Sequence, residues 1–257
     1  MKSKLILSYS IFVCILCLSF QSLARDYYQV KVYTIKNNSQ EARVDHYLKT
    51  TFKTAANQAG INEIGVFKPI ETDKDFGKKI FVFVPLKSLS QLEKIEQILT
   101  NSASQSSNCE YVNAPHDNPP FERIESTLLR AFSHMPEFHK PSFATPKSEQ
   151  IFELRSYQGA TEKLYQIKVE MFNEGGEIAL FKKLDFNAVF YAEVLVGAHM
   201  PNLMYMTSFE NMEANEKHWA TFRAHPDWEV LKNKKEYANT VSHIDKWLCH
   251  PASYSDF

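Results

Sequence analysis

Laid against itself, the chain repeats, and a repeat of this length restricts it to a tandem architecture. Tyr28-Gln29-Val30-Lys31-Val32-Tyr33 and Phe152-Glu153-Leu154-Arg155-Ser156-Tyr157 share the order aromatic, polar, apolar, basic, small, Tyr at an offset of 124 residues. Asn62-Glu63-Ile64-Gly65-Val66-Phe67 stands opposite Asn187-Ala188-Val189-Phe190-Tyr191-Ala192 at an offset of 125. Leu86-Lys87-Ser88-Leu89 with Glu93-Lys94 stands opposite Phe209-Glu210-Asn211-Met212 with Glu216-Lys217 at 123. Any one match is weak. Three in the same order at a nearly constant offset mark two diverged copies of one unit.

Both copies follow the same local grammar. Residues 27–35 alternate and are rich in aromatic and β-branched side chains, the pattern of a strand. Ser39 is placed to cap a helix over 40–59 that Gly60 ends. Residues 61–70 and 79–86 read as strands around a polar turn, and Ser88 with Gln91 opens a helix over 89–99. The second copy repeats this order: a strand over 151–157, a helix over 161–184, strands over 188–196 and 203–209, and a helix opened by Asn211. A further helix is expected over 227–248. Between the copies, Phe121, Ile124, Leu128, Leu129 and Phe132 keep helical spacing after Pro119-Pro120 and predict a bracing helix over 121–135. The expected divisions are 1–24, 25–110, a linker with its helix over 111–147, and 148–257.

A β-α-β-β-α unit carries helices on one face of its sheet and leaves the other face bare. The simplest cover is the sheet of the other copy, which gives a pseudo-symmetric barrel within one chain. In the two first strands Tyr28, Val30, Val32 and Phe152, Leu154, Ser156 form the apolar or small set, expected to meet the helices. Gln29, Lys31, Tyr33 and Glu153, Arg155, Tyr157 form the mixed set, expected to line the barrel.

The 257 residues are 44% hydrophobic and 23% charged with a net charge of −1, so no field of one sign draws nucleic acid or an anionic membrane. Lys2 and Lys4, an apolar run over 5–20 and Ser22-Leu23-Ala24 read as a signal peptide cleaved before Arg25. Export to a periplasmic or extracellular space follows, with a retained anchor as the alternative. Cys14 and Cys17 leave with that segment, and Cys109 and Cys249 either pair or stay free.

The second copy resembles the NIPSNAP family. The residues that carry the resemblance are Phe152 to Tyr157, Met171-Phe172-Asn173-Glu174-Gly175-Gly176-Glu177, Met200-Pro201-Asn202-Leu203-Met204-Tyr205-Met206, Trp219 to Phe222, and His225-Pro226-Asp227-Trp228. The first copy is a looser match. The resemblance implies an α+β fold of the dimeric α/β-barrel superfamily: two tandem ferredoxin-like (β-α-β-β-α) units whose sheets pack face to face as a pseudo-dimeric barrel. It implies no settled catalytic residues.

If the mixed faces line the barrel, Lys31, Tyr33, Arg155, Tyr157 and Tyr191 converge with Glu153 and Glu193, either of which is then a candidate proton shuttle on a small organic molecule. The alternative is that these carboxylates pair with Lys31 and Arg155 only to satisfy charge. Gly175-Gly176 breaks a helix, either to aim Glu174 or Glu177 at a ligand or to let the helix pack closely. No metal or cofactor is expected: His218 and His225 lack ligand spacing, and His199 reads as a turn residue. Three functions stay open: binding of a small apolar organic ligand, cofactor-free acid/base catalysis, and a protein-interaction module with a filled barrel. An open lumen favours the first two. Homo-oligomerisation is left open.

Overall fold

The computed structural model describes residues 24–105 and 110–257, so the export segment and Cys109 lie outside the described residues. Strand β1 (Tyr27–Thr34) leads to helix α1 (Asn38–Tyr47), a π-helical turn (Leu48–Phe52) and α2 (Lys53–Gln58). Then come β2 (Gly65–Pro69), β3 (Lys79–Leu86), α3 (Leu89–Gln105) and β4 (Arg123–Ala131). The second half runs β5 (Ile151–Gln158), α4 (Glu162–Phe172), α5 (Glu177–Lys183), β6 (Asn187–Val196), β7 (Asn202–Phe209), α6 (Met212–Ala224), α7 (Pro226–Lys232) and β8 (His243–Pro251). The strands close one antiparallel barrel in the order β1-β3-β2-β8-β5-β7-β6-β4. The order β4-β1-β3-β2 of the first half thus recurs as β8-β5-β7-β6 in the second.

Local chemistry starts the first helix of each half at matching positions. Asn37 accepts from Gln40 N at 2.9 Å and Thr161 accepts from Leu164 N at 3.2 Å, each satisfying a helix-end N–H. The caps keep the 124-residue offset, and Asn37, not Ser39, opens the first helix. Gly60 ends it at φ +86°, where a side chain would be strained.

Two expected helices are strands. Residues 123–131 form β4, paired with β1 from Arg123 against Thr34 to Arg130 against Tyr27. Against β6 its register shifts between Leu128 and Leu129. Because both faces of the strand are covered, ordinary strand alternation buries both leucines, Leu129 in the lumen and Leu128 under the helices. Two adjacent packed leucines imitate helical spacing and mislead a periodicity argument. In the second half, α7 stops at Lys232 and residues 243–251 form β8, paired with β5 and β2. Each is the fourth strand of its half, so each half is β-α-β-β-α-β, and the long-range pairing that closes the barrel overrides weak local preference.

The two strand faces are also the reverse of the expectation. Tyr28, Val30, Phe152 and Leu154 point into the lumen with Phe67, Phe81, Phe83, Phe190, Met204, Met206 and Trp247. The lumen is a packed core: Phe83 stacks on Phe190 with centroids 4.9 Å apart, and Phe67 meets Phe152 at 4.7 Å. Phe257 adds a further ring against Phe67, Phe83 and Phe152. Burying each such ring contributes about 1.5–3 kcal/mol and fills the barrel centre, while toward one end Val30, Val32, Phe81, Met204 and Trp247 line a cavity of about 220 Å³ with His199, Asn202 and Asp245. The mixed set packs instead beneath the helices: Tyr33 joins Val44, Leu48 and Phe52, and Tyr157 joins Phe172 and Trp219.

Cys249 lies in the lumen, fully buried, where burial holds its thiol well above the usual range. Iodoacetamide applied to the native protein is therefore expected to leave the Cys249 peptide unlabelled, and to label it only in denaturant. Labelling of the native protein as fast as of the denatured chain contradicts the burial of Cys249.

Candidate functional site

Outside the barrel, between β1 and the helices of the first half, lies a cavity of about 470 Å³. Its floor is Lys31 and Tyr33 of β1 with Ile124 of β4. Thr50 and Thr51 of the π-turn, Thr54, Ala55 and Gln58 of α2, Glu96 and Leu99 of α3, and Tyr47 with Tyr111 complete the walls. The volume is in the range of small-molecule sites, and the lining mixes apolar groups with few polar ones. Tyr47 and Tyr111 stack in parallel at 3.7 Å, a flat aromatic wall.

Lys31 is the charged group at the floor. Its side chain is 12% exposed, its Nζ stands 5.1 Å from the centre of the Phe52 ring, and the carboxylate of Glu96 is 3.8 Å away. Burial outweighs the attraction of Glu96 and lowers the pKa of the amine, so the neutral form is more accessible than for a surface lysine. Burial raises Tyr33 to about 12, partly offset by a hydrogen bond with Tyr111, so it stays a neutral phenol.

The π-turn shapes this cavity. An extra residue in one helical turn places Phe52 against Lys31 and Thr50 and Thr51 along the wall, and such turns recur at functional sites. At the 124-residue offset, Leu48 to Phe52 correspond to Phe172 to Gly176, where the second half breaks its helix outright. Both copies are irregular at one place.

The second half fills the equivalent space. Offset 124 places Arg155 and Tyr157 where Lys31 and Tyr33 stand, and offset 123 places Trp219 where Glu96 stands. Arg155 lies 3.9 Å from the Trp219 ring centre, donates from Nε to Glu153 at 2.6 Å, and donates to the Tyr157 hydroxyl at 3.1 Å. Glu153, 1% exposed, also accepts from Trp219 Nε1 at 2.6 Å and Asn215 Nδ2 at 2.7 Å. Both oxygens of this carboxylate are occupied, and Tyr157 is tied to Tyr205 through their hydroxyls at 2.9 Å.

The expected lumen cluster is therefore dispersed. Lys31 and Tyr33 share the first-half cavity. Glu153 is buried beneath α6 with both oxygens occupied, and Arg155 and Tyr157 are half-buried beside it. Tyr191 is buried between Phe172, Phe181 and Tyr205 on the helix side. Glu193 accepts from Arg25 at 3.2 Å and Arg130 at 2.8 Å. Glu174 is exposed, and Glu177 is buried against Lys168 at 2.7 Å. The cavity that holds Lys31 is on the first copy's side, whereas the family-like motifs lie in the second copy, beside which a separate cavity of about 440 Å³ is lined by His134, His139, Ile178, Lys182, Asp185 and Tyr191. Glu96, Phe52 and Tyr111 were not singled out by sequence. A charge at 96 facing a tryptophan at 219 in the aligned repeat is the signal that finds them. Among the described residues no group of three potential ligands is placed to hold a metal ion.

Helices outside a closed antiparallel eight-stranded barrel define a mixed α/β barrel, consistent with the dimeric α/β-barrel class. Residues 152–256 match the NIPSNAP family model, so the chain carries a NIPSNAP domain in its second half. A proposed monooxygenase from Lactobacillus acidophilus NCFM superposes with a TM-score of 0.55 at 9% identity, over 88% of this chain and 94% of that one. An anthrone oxidase-like protein does so with 0.52 at 8%, over 91% and 94%. A NIPSNAP-like domain protein from Burkholderia xenovorans, 19% identical, covers 42% of this chain and 89% of its own with a TM-score of 0.38. At 9% and 8% identity the first two likenesses establish the fold alone. No curated protein matches the sequence.

Proposed function

We propose that the chain is an exported protein that binds a small, mostly apolar organic molecule between the sheet and the helices of its first half. The observation that carries this reading is Lys31, a side chain 12% exposed on the floor of an open cavity, with a ring on one side and a half-exposed carboxylate 3.8 Å away. A cationic group kept in such surroundings carries a desolvation cost that a methionine of similar length avoids. An apolar ligand with one polar oxygen fits both features: its body fills the space beside Tyr47 and Tyr111, and its oxygen accepts from the amine.

The wider architecture is two tandem ferredoxin-like units, a reading supported by the recurring strand order and by a helix after the first and third strand of each half. Export is supported by Lys2, Lys4, the apolar run and the small residues before Arg25. When the full chain is produced in a bacterial host, N-terminal sequencing of the exported fraction is expected to begin at Arg25. Recovery only of chains beginning at Met1 in the membrane fraction supports the retained anchor instead.

Prodan, a flat aromatic ketone whose emission moves to the blue in apolar surroundings, tests the cavity. Saturable binding of one equivalent is expected, and Thr54→Trp, which places an indole in the cavity from an exposed helical position, is expected to remove it. Equal binding by the variant, or none by the wild type, overturns the site. A second reading, cofactor-free acid/base catalysis in the same cavity, is favoured by the amine and carboxylate lying together. Proteins described as a proposed monooxygenase and as anthrone oxidase-like share the fold.

A further inference from the structure

The two halves set a basic side chain at the same place in the repeat and treat it in opposite ways. In the second half it is Arg155, whose guanidinium keeps its proton under all ordinary conditions, with a carboxylate, an aromatic face and a hydroxyl as partners. In the first half it is Lys31, an amine able to become neutral, and it faces an open cavity. Where Trp219 closes the second copy, Glu96 leaves room above the amine and stands 3.8 Å from Nζ, beyond hydrogen-bond length but close enough to exchange a proton after a small rotation. A buried amine in an apolar wall with a carboxylate alongside is the arrangement from which lysine acts as a nucleophile toward carbonyl carbon.

We propose that Lys31 forms a covalent imine with an aldehyde or ketone carbonyl of the ligand, so that the cavity takes carbonyl compounds with a flat apolar body. The proposal rests on the reading of this cavity as a ligand site. The nitrogen lone pair adds to the carbonyl carbon, the carbonyl π electrons move to oxygen, and that oxygen takes a proton to give a carbinolamine. The Glu96 carboxylate relays the first of the two nitrogen protons to the alkoxide oxygen, completing the carbinolamine, and the second to the resulting hydroxyl as the C=N bond forms. Water then leaves as the C–O bond breaks and the C=N bond forms. Amine and carbonyl become imine and water, with no oxidant or reductant consumed. Lowering of the Lys31 pKa by burial favours the first step.

The test treats the folded full chain with 2-naphthaldehyde and sodium cyanoborohydride at neutral pH, followed by intact mass and peptide mapping. One stable adduct on Lys31 is expected, forming about 10-fold or more faster than on the exposed Lys36, Lys74 and Lys183, which serve as internal references. Glu96→Gln is expected to slow the Lys31 adduct and leave the reference lysines unaffected. An adduct spread over the reference lysines with Lys31 untouched, in a protein that binds prodan, overturns the imine and leaves the ligand site standing. Failure of prodan to bind removes the site itself. Mapping of the wild-type protein decides the matter even if a variant does not fold.

Discussion

Glu153→Leu is expected to lose about 3–5 kcal/mol of unfolding free energy in urea denaturation, because it leaves a buried guanidinium without its counter-charge. The carboxylate is 1% exposed and satisfies four donors: Nε and a terminal nitrogen of Arg155, Asn215 Nδ2 and Trp219 Nε1. Without it, Arg155 keeps only the Tyr157 hydroxyl and the Trp219 face, and the amide and indole N–H groups of α6 have no acceptor in a dry interface. Glu153→Gln is expected to fall between the wild type and Glu153→Leu, since an amide turns one of its own donors toward other donors. Glu193 provides the contrast. Its side chain is 18% exposed among Arg25 and Arg130. Partial hydration screens that group, and Glu193→Gln is expected to cost about 1 kcal/mol or less. If Glu153→Leu unfolds at the wild-type urea concentration, the carboxylate is not a structural keystone of α6, and its assignment to charge satisfaction fails.

The strands that alternate strongly were legible in the sequence, and the repeat extended that reading from one half to the other. β4 and β8 were not. Their side chains alternate weakly, and each exists because β1 or β5 offers an edge that only a segment distant in sequence can pair. Alternation in β1 and β5 was read with the correct period but the wrong sign, because both faces of this sheet are buried and period alone does not tell lumen from helix side. The polar residues of β5 tolerate the helix side since α6 brings Asn215 and Trp219 to meet them. Of the site, Lys31 and Tyr33 were legible as unusual residues on a strand, while the space above them depends on the π-turn and on residue 96, which strand patterns do not report.

Lys168→Met is expected to destabilise the protein by about 3–5 kcal/mol, and Lys168→Met with Glu177→Leu to recover most of that loss. The pair is buried on both sides, with side chains 7% and 4% exposed and Nζ 2.7 Å from the carboxylate. The ammonium also faces Phe172 at 4.7 Å. Removing the cation alone strands a carboxylate in an aromatic interface, whereas removing both charges leaves apolar groups of similar volume. The helix break makes the pairing possible. Gly176 adopts φ +95°, and a Cβ on Gly175 would come within 2.6 Å of the Met171 carbonyl oxygen and 2.8 Å of the Tyr237 hydroxyl. Close passage of the chain there turns α5 so that Glu177 reaches back to Lys168. The glycines are thus explained by packing, and Glu177 is withdrawn from any ligand. At the 124-residue offset the first half has Val44 in place of Lys168 and a continuous π-turn in place of the break. One half uses this place in the repeat to pair Lys168 with Glu177 across a helix break, and the other passes through it as a π-turn that lines the cavity above Lys31. Recovery in the double variant, measured by urea denaturation, therefore tests whether Lys168 and Glu177 stabilise the second half as a buried pair. A double variant as unstable as Lys168→Met alone places the role of Glu177 outside that pair.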